Sequence, residues 1–191
     1  IDENSYNELT NYSDNIIVEK LIEENINEDI KEYLKEGWSD IMMTKIKIIE
    51  QELKTSNYVL YTDGDIVFNN NYLIQYLTEN IKDKDILCQK RCNNISDGLL
   101  CGGFMYIQSN DRTKELFNIQ TIDMNSFIED SKYINQNINK VNYSLLRREL
   151  FPMESYYCRY LHQIPSFIIH FANETGDKKE KAIRKYGYWY L

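Results

Sequence analysis

The chain has 191 residues, of which 42% are hydrophobic and 27% charged, so it can bury the core of one domain and is not disordered. Its net charge of −8 argues against a nucleic-acid groove, which needs an excess of basic side chains. No stretch approaches the ~20 apolar residues of a membrane helix, so no membrane span is expected in this chain. Neither repeats nor linkers divide it, and a single domain over residues 1–191 is predicted.

The first half of the chain alternates predicted helices and strands. Ser39 and Asp40 favour the start of a helix, and apolar residues at intervals of three or four extend it to about Lys54. Residues 57–63 then form a predicted buried strand. Before these elements the patterns predict a short helix over 4–11, a strand over 15–21 and a helix over 26–36.

The second half continues this alternation. Gly102-Gly103 is expected to break one long strand. The predicted elements are a helix near 73–81, strands over 85–91 and 99–109, a mainly helical or irregular region over 111–150, a strand over 166–173 and a basic helix over 177–187. Such alternation predicts an α/β fold with a mixed, mostly parallel sheet flanked by helices.

Residues 57–71, NYVLYTDGDIVFNNN, place Asp63 and Asp65 between two apolar runs. This is the end of a predicted strand, where open α/β sheets bind their ligands. Two carboxylates so close are costly unless positive charge lies against them, and both can reach one divalent cation. Gly64 leaves room between them and lets the backbone bend. A plain turn is the alternative, but a turn would not explain the apolar residues on both sides.

Two other kinds of site fit this segment poorly. The oxygen ligands and distal Glu of an EF-hand are missing. A dehalogenase-like phosphatase would carry Thr where this chain has Val67.

The cysteines and the start of the chain carry less information. No CxxC pair occurs, which argues against a zinc site; disulfides stay open and buried free thiols are the default expectation. The first residue is not Met and no leader segment is visible, so we expect the chain to begin inside a longer protein. The compartment stays undecided between the cytoplasm and, for a membrane-anchored precursor, the Golgi lumen. The four cysteines are Cys88, Cys92, Cys101 and Cys158.

Four segments in order resemble GT-A glycosyltransferases, and more narrowly the nucleotide-diphospho-sugar transferase family, with a distant likeness to glycogenin-type retaining enzymes. The resemblance covers nearly the whole chain. Its segments are TKIKII before the strand, YVLYTDGDIVF with the DxD pattern, CGGFMYIQSNDRTKELF, and IIHFAN followed by GDKKEKAIRKYGYW. It implies a GT-A, Rossmann-like fold, with the first strand missing from this chain.

The resemblance also implies a metal-dependent transfer of sugar, with retention, from a nucleotide-diphosphate sugar to an acceptor hydroxyl. Asp63, Asp65 and His170 would hold Mn²⁺ or Mg²⁺, and His162 has no such context. Lys45, Asp63, Gly103 and at least one of Lys178 and Lys179 would lie at the donor, which is expected to be UDP-linked. The acceptor would be a glycan, a protein or a small molecule.

Two positions depart from the family pattern. Cys101 stands where relatives often carry Asn, which leaves a sugar contact in doubt. Asn135-Gln136 stands where relatives carry Asp-Gln, with the Asp facing the sugar or acceptor and Gln136 near the anomeric carbon. Asn cannot act as a base or nucleophile. Three explanations stay open. The family Asp corresponds to the nearby Asp130 or Glu129 instead of Asn135, or the enzyme works without this carboxylate, or activity is lost.

Two other functions therefore stay open. A non-catalytic nucleotide-sugar or glycan binding domain would fit Asn135 and the missing first strand, and it would not leak sugar from the donor to water. A metal-dependent phosphohydrolase with Asp63 as its nucleophile would release phosphate.

Overall fold

A four-stranded mixed sheet, a two-stranded ribbon and helices on both faces make up the described part of the chain. The computed structural model describes residues 38–91, 99–123, 126–127, 129–157, 165–172 and 176–188. The elements predicted before residue 38, and Cys92, Cys158 and His162, lie outside these residues. The single-domain prediction for 1–191 stays a prediction.

The elements follow one another as the sequence patterns indicate, with two added short strands over residues 66–68 and 143–145. The strands are β1 (Tyr58–Thr62), β2 (Ile66–Phe68), β3 (Ile86–Lys90), β4 (Leu100–Gln108), β5 (Tyr143–Leu145) and β6 (Ile168–His170). The helices are α1 (Trp38–Thr55), α2 (Leu73–Ile81), α3 (Asp111–Leu116), α4 (Asp130–Asn137), the single turn α5 (Glu154–Tyr156) and α6 (Gly176–Lys185). β5 lies in the region expected to be helical or irregular. None of the described helices combines the length and apolar character needed to cross a bilayer.

The larger sheet has the strand order β1-β4-β3-β5. β4 runs antiparallel to β1 and β3, β3 runs parallel to β5, and β2 pairs antiparallel with β6 in a separate ribbon. The mixed α/β class is thus confirmed. Among the described strands, however, three of the four pairings are antiparallel, so the expected mostly parallel sheet is wrong there. Only residues 91–99 join β3 to β4, whereas a parallel connection needs about a dozen residues or more.

Apolar side chains alternate along β3 and β4 and so cover both faces of the sheet. On one face Cys88 and Met105 pack with the buried side of α1. On the other face Leu87 and Phe104 pack with α2. Successive strand residues point to opposite faces, so a sheet with helices on both sides needs apolar residues at every position.

Two details of the strands differ from expectation. β1, predicted to be buried, is only half-buried, and Tyr58 is 43% exposed, because among the described strands only β4 pairs with it. β4 runs unbroken through Gly102-Gly103, but its register against β3 jumps there. Cys88 lies opposite Met105, whereas Gln89 lies opposite Cys101. The intervening residues of β4 therefore bulge out of the β3 ladder.

Asp85, just before β3, ties three segments together. Its buried carboxylate accepts hydrogen bonds from Arg112 Nε at 2.7 Å and Nη2 at 2.6 Å, and from Asn110 Nδ2 at 2.8 Å. The backbone N–H of Asn142, just before β5, donates to it at 2.7 Å. The hydrogen bonds from Arg112 hold the pKa of Asp85 below its usual value. This one carboxylate thus joins β3, α3 and the approach to β5.

We predict that Asp85→Asn lowers the free energy of unfolding by about 2–3 kcal/mol, because an amide presents an N–H to donors that need an acceptor. A lowered folded-state pKa stabilises the fold above the unfolded-state pKa of about 3.9, and this stabilisation fades as the pH falls through the folded value. Urea unfolding of wild type and variant between pH 3 and 7 checks both effects. The gap between the two proteins should narrow toward the acid end.

Asp83→Asn is the matched control, since the carboxylate of Asp83 is exposed and pairs only with the neighbouring Lys84 among its described charged partners. Exposed pairs contribute little to stability, so its midpoint should match that of wild type. Equal midpoints for the Asp85 and Asp83 variants would contradict the structural role of Asp85.

Candidate functional site

The Asp63–Asp65 segment connects β1 to β2 and is held at both ends by backbone hydrogen bonds. The N–H of Asp63 donates to the carbonyl of Gly103 in β4 at 2.8 Å. The N–H of Phe171 donates to the carbonyl of Asp65 at 3.0 Å, directly after Ile66 pairs with His170. The antiparallel ribbon of β2 and β6 therefore places His170 next to the two aspartates.

Asp63, Asp65 and His170 converge. One ligand atom from each lies within 4.8 Å of the others. His170 Nε2 is 3.2 Å from Asp65 Oδ1 and 4.0 Å from Asp63 Oδ2. His170 is buried, with 1% of its surface exposed, whereas the side chain of Asp63 is 36% exposed. The cluster is thus closed on the imidazole side and open on the Asp63 side.

Each aspartate has its own lysine. Lys45 Nζ lies 3.0 Å from Asp63 Oδ1, and the hydroxyl of Tyr61 donates to the same oxygen at 3.0 Å. Lys179 Nζ lies 2.5 Å from Asp65 Oδ2. The positive charge that the sequence analysis required against the carboxylates is therefore present. Lys178, the other candidate at the start of α6, is exposed.

The protonation equilibria of the cluster follow from these contacts. Burial alone would lower the pKa of His170, but the hydrogen bond and charge of Asp65 raise it above its usual value. Burial likewise opposes ionisation of Asp65, yet His170 and then Lys179 bring the pKa of its carboxyl well below normal. Lys45 remains protonated, since Asp130 and Asp63 outweigh its burial and raise its pKa. At neutral pH the cluster thus holds an ionised Asp65, and Lys45 beside Asp63 keeps its positive charge.

Gly103 leaves the space in which the cluster forms. A Cβ at residue 103 would overlap His170 Cε1 and Asp63 Oδ2, so any side chain there would push these groups apart. Gly64 is different. A Cβ at residue 64 would meet nothing within 4 Å, and its φ is not positive, so the expected need for glycine between the aspartates is wrong.

Asp130, at the start of α4, resolves part of the ambiguity around Asn135. Its buried carboxylate forms an ion pair with Lys45, which therefore bridges Asp130 and Asp63. Asn135 Oδ1 instead accepts from the N–H of Leu100 at 3.1 Å, and its Nδ2 donates to the Leu100 carbonyl at 2.8 Å. Asn135 thus ties α4 to β4, while the carboxylate beside Lys45 comes from Asp130.

Gln136 lies away from the cluster. Its side chain is exposed and helps to line a cavity of about 200 Å³ beside α4, which none of Asp63, Asp65 and His170 lines. Gln136 was expected near the anomeric carbon of the sugar, but the position of its side chain does not support that role. α4 directs Asp130 and Ile134 inward, and a helical repeat of 3.6 residues turns Gln136 outward.

Tyr61 and Gln89 also contact the cluster, although no sequence pattern predicted either of them. Gln89 is fully buried in β3, and its Oε1 is 2.7 Å from His170 Nδ1. The available signal was a glutamine directly after the apolar residues 86–88 of a predicted strand, because a buried polar side chain needs partners. Which partner it would find could not be read from the sequence.

The chain is similar to known transferases in sequence and fold. The family model described as nucleotide-diphospho-sugar transferase matches residues 1–184. The "UDP-galactose:fucoside alpha-3-galactosyltransferase" of Dictyostelium discoideum is 28% identical in an alignment that covers 81% of this chain and only 28% of that protein's length.

Among solved structures, a glycosyltransferase involved in glycosylation of the major capsid of PBCV-1 superposes with a TM-score of 0.58 at 11% identity, over 82% of this chain and 80% of that one. At this identity the likeness shows the fold alone, and it supports the expected GT-A type. The family match extends over nearly the whole length, from Ile1 to Arg184. The chain therefore belongs to the nucleotide-diphospho-sugar transferase family.

Proposed function

We propose that this chain transfers a sugar from a nucleotide-diphosphate sugar to an acceptor hydroxyl with the help of a divalent cation. The observation that carries the proposal is the convergence of Asp63, Asp65 and His170 beside Lys45 and Lys179. Family membership supplies the class of donor. The Dictyostelium relative, named a UDP-galactose:fucoside galactosyltransferase, supports UDP as the nucleotide and a glycan as the acceptor.

The three candidate metal ligands, Asp63, Asp65 and His170, fit Mn²⁺ or Mg²⁺. Two carboxylates and one imidazole suit Mn²⁺, and the carboxylates alone suit Mg²⁺. His170 Nε2 and Asp65 Oδ1 face each other at 3.2 Å, which requires either a proton or a cation between two lone pairs. Bound to these three side chains, the cation would supply Lewis-acid stabilisation of the diphosphate leaving group.

The two lysines would bind the phosphates. Lys45 is held between Asp63 and Asp130 and is 6% exposed, so it presents a fixed charge at the floor of the site. Lys179 is 28% exposed and pairs only through its tip with Asp65, so it can move to a phosphate oxygen. An ammonium acts there as a point charge that offsets charge on the leaving group.

Asp130 would take the sugar-facing place that relatives give to an Asp. Its carboxylate lies against Lys45 and next to Gly102, where a Cβ would overlap it. An ionised carboxylate accepts hydrogen bonds from sugar hydroxyls. A carboxylate at this place would remove one of the two reasons, Asn135, for favouring a non-catalytic binding domain. Retention of anomeric configuration through an oxocarbenium-like transition state is part of the proposal.

We expect the 191-residue chain with Mn²⁺ to release UDP from UDP-galactose or another UDP-sugar, and EDTA to stop this release. Asp65→Asn should lower turnover roughly 10²–10³-fold, the usual cost of removing one electrostatic partner of a reaction centre. A UDP-detection assay measures the rate. Asp83→Asn, which removes an exposed carboxylate outside the cluster, should keep wild-type turnover.

The binding-domain alternative gives a different result. Such a protein would gain thermal stability from Mn²⁺ with UDP, about 2.7 kcal/mol at a hundredfold excess over Kd, yet release no UDP from any nucleotide sugar tested. That combination would overturn the proposed transfer while leaving the cation site standing.

Lys179→Ala should change the two binding steps in opposite directions. Removing the cation that pairs with Asp65 should tighten binding of Mn²⁺ alone. The same change should weaken UDP binding in saturating Mn²⁺ by tenfold or more, because a charge-assisted hydrogen bond contributes about 1.5–3 kcal/mol. UMP, which lacks the distal phosphate, should lose little affinity. Titration calorimetry with each ligand measures these changes.

Lys178→Ala is the matched control, since it removes the same charge one residue away on the exposed side of α6. It should leave UDP affinity within about threefold of wild type, as expected for a screened surface charge. Equal losses in both variants would mean that only the general charge of α6 matters and that Lys179 has no specific phosphate contact.

A further inference from the structure

Gln89 is the one buried polar side chain of β3 that reaches the cation cluster, and nothing in the proposed chemistry uses it so far. Its surface is fully buried, its Oε1 lies 2.7 Å from His170 Nδ1, and its Nε2 lies 3.1 Å from the carbonyl oxygen of Phe151. We propose that Gln89 is a positioning residue that fixes His170 in the tautomer able to bind a cation. This inference rests on the proposed function, because it concerns the same cation site.

The orientation of the Gln89 amide is determined by Phe151. A backbone carbonyl can only accept, so the side chain must turn its NH₂ group toward Phe151. The reversed amide would place two oxygens against each other at that position. With the NH₂ group committed, the oxygen of Gln89 is the atom that faces His170.

This orientation decides which imidazole nitrogen carries the proton. Gln89 Oε1 has only lone pairs, so His170 Nδ1 must donate to it at 2.7 Å. Cys101 Sγ, 3.9 Å from the same nitrogen, is at most a weak further partner. In the neutral ring the proton therefore stays on Nδ1, and Nε2 keeps its lone pair toward Asp63 and Asp65. Histidine ligands commonly need such a partner on the other nitrogen.

The bulge in β4 explains how Gln89 comes to be there. Because the register jumps after Cys88, Gln89 lies opposite Cys101, and Gly102-Gly103 leave the ladder on the side of the cluster. Gln89 points to the same face as Leu87, which packs in the apolar cluster with Phe151. An apolar residue would fill this position as well if packing were the only requirement. The amide is needed only because both of its polar groups have partners.

Two substitutions separate the role toward His170 from the role toward Phe151. Gln89→Leu removes both hydrogen bonds. Gln89→Glu keeps an oxygen for Nδ1–H in either protonation state, and when ionised it loses the donor to Phe151. If Gln89 acts through His170, the Glu variant should rescue cation binding; if it only supports Phe151, the Glu variant has no reason to do so.

The first measurement is the affinity for Mn²⁺ at one pH with saturating UDP. Binding is measured as the loss of the electron paramagnetic resonance signal of free Mn²⁺. We expect Gln89→Leu to bind Mn²⁺ about 10–100-fold more weakly than wild type, the usual cost of losing the partner of a histidine ligand. Gln89→Glu should bind within about threefold of wild type. Circular dichroism confirms that each variant measured is folded.

The second measurement reads the tautomer directly. With ¹⁵N-labelled histidine, Cd²⁺ and UDP, long-range ¹H–¹⁵N spectra of wild type should show a protonated Nδ1 and a metal-bound Nε2 for His170. The chain has two histidines, and His162→Gln assigns the signals by removing one set. Gln89→Leu should lose this pattern, and Gln89→Glu should keep it.

The outcomes distinguish this inference from the function it rests on. Equal Mn²⁺ affinity and an unchanged tautomer in Gln89→Leu would overturn the role of Gln89 even if wild type transfers sugar. In another outcome, wild type binds Mn²⁺ but releases no UDP, while the Gln89 variants change Mn²⁺ affinity and tautomer as expected. That result would support the role of Gln89 and overturn the transfer. A wild type that binds no Mn²⁺ would overturn both.

Discussion

The repulsion between two carboxylates one residue apart is the constraint around which this part of the molecule is arranged. Asp63 directly follows β1 and Asp65 directly precedes β2, and each pairs with a lysine from a different helix. α1 supplies the buried Lys45, and α6 supplies the partly exposed Lys179. Two helices distant in the chain are therefore coupled electrostatically through three residues of one turn.

Space is the second constraint on the site. The cluster can close only because β4 bulges at Gly102-Gly103, where a Cβ on either residue would overlap Asp130, Asp63 or His170. The same change of register brings Gln89 under the imidazole. One irregularity in a buried strand thus clears room for three side chains and orients a fourth. This agrees with the general finding that bulges occur beside functional sites, where they redirect side chains.

The two lysines of the site differ in how far they are enclosed by other side chains. Lys45 is enclosed by Asp63, Asp130 and the ring of Tyr61, whereas Lys179 is partly exposed and held mainly by Asp65. The first lysine therefore maintains the shape of the site. In the proposed transfer, the second would exchange its carboxylate for a phosphate of the nucleotide sugar, and the cation would take its place at Asp65.

Local patterns in the sequence determined the elements and the centre of the site. The spacing of apolar residues predicted α1, the apolar run before Asp63 predicted β1, and the four ordered segments indicated the family. The tertiary structure decided the antiparallel pairing of the described strands and that Lys179, at the start of α6, is the lysine that pairs with Asp65. It also decided that Asp130 pairs with Lys45 and that Asn135 bonds to the backbone of Leu100. These features depend on register and helix rotation between segments far apart in the chain, where a shift of one residue turns a side chain to the opposite face.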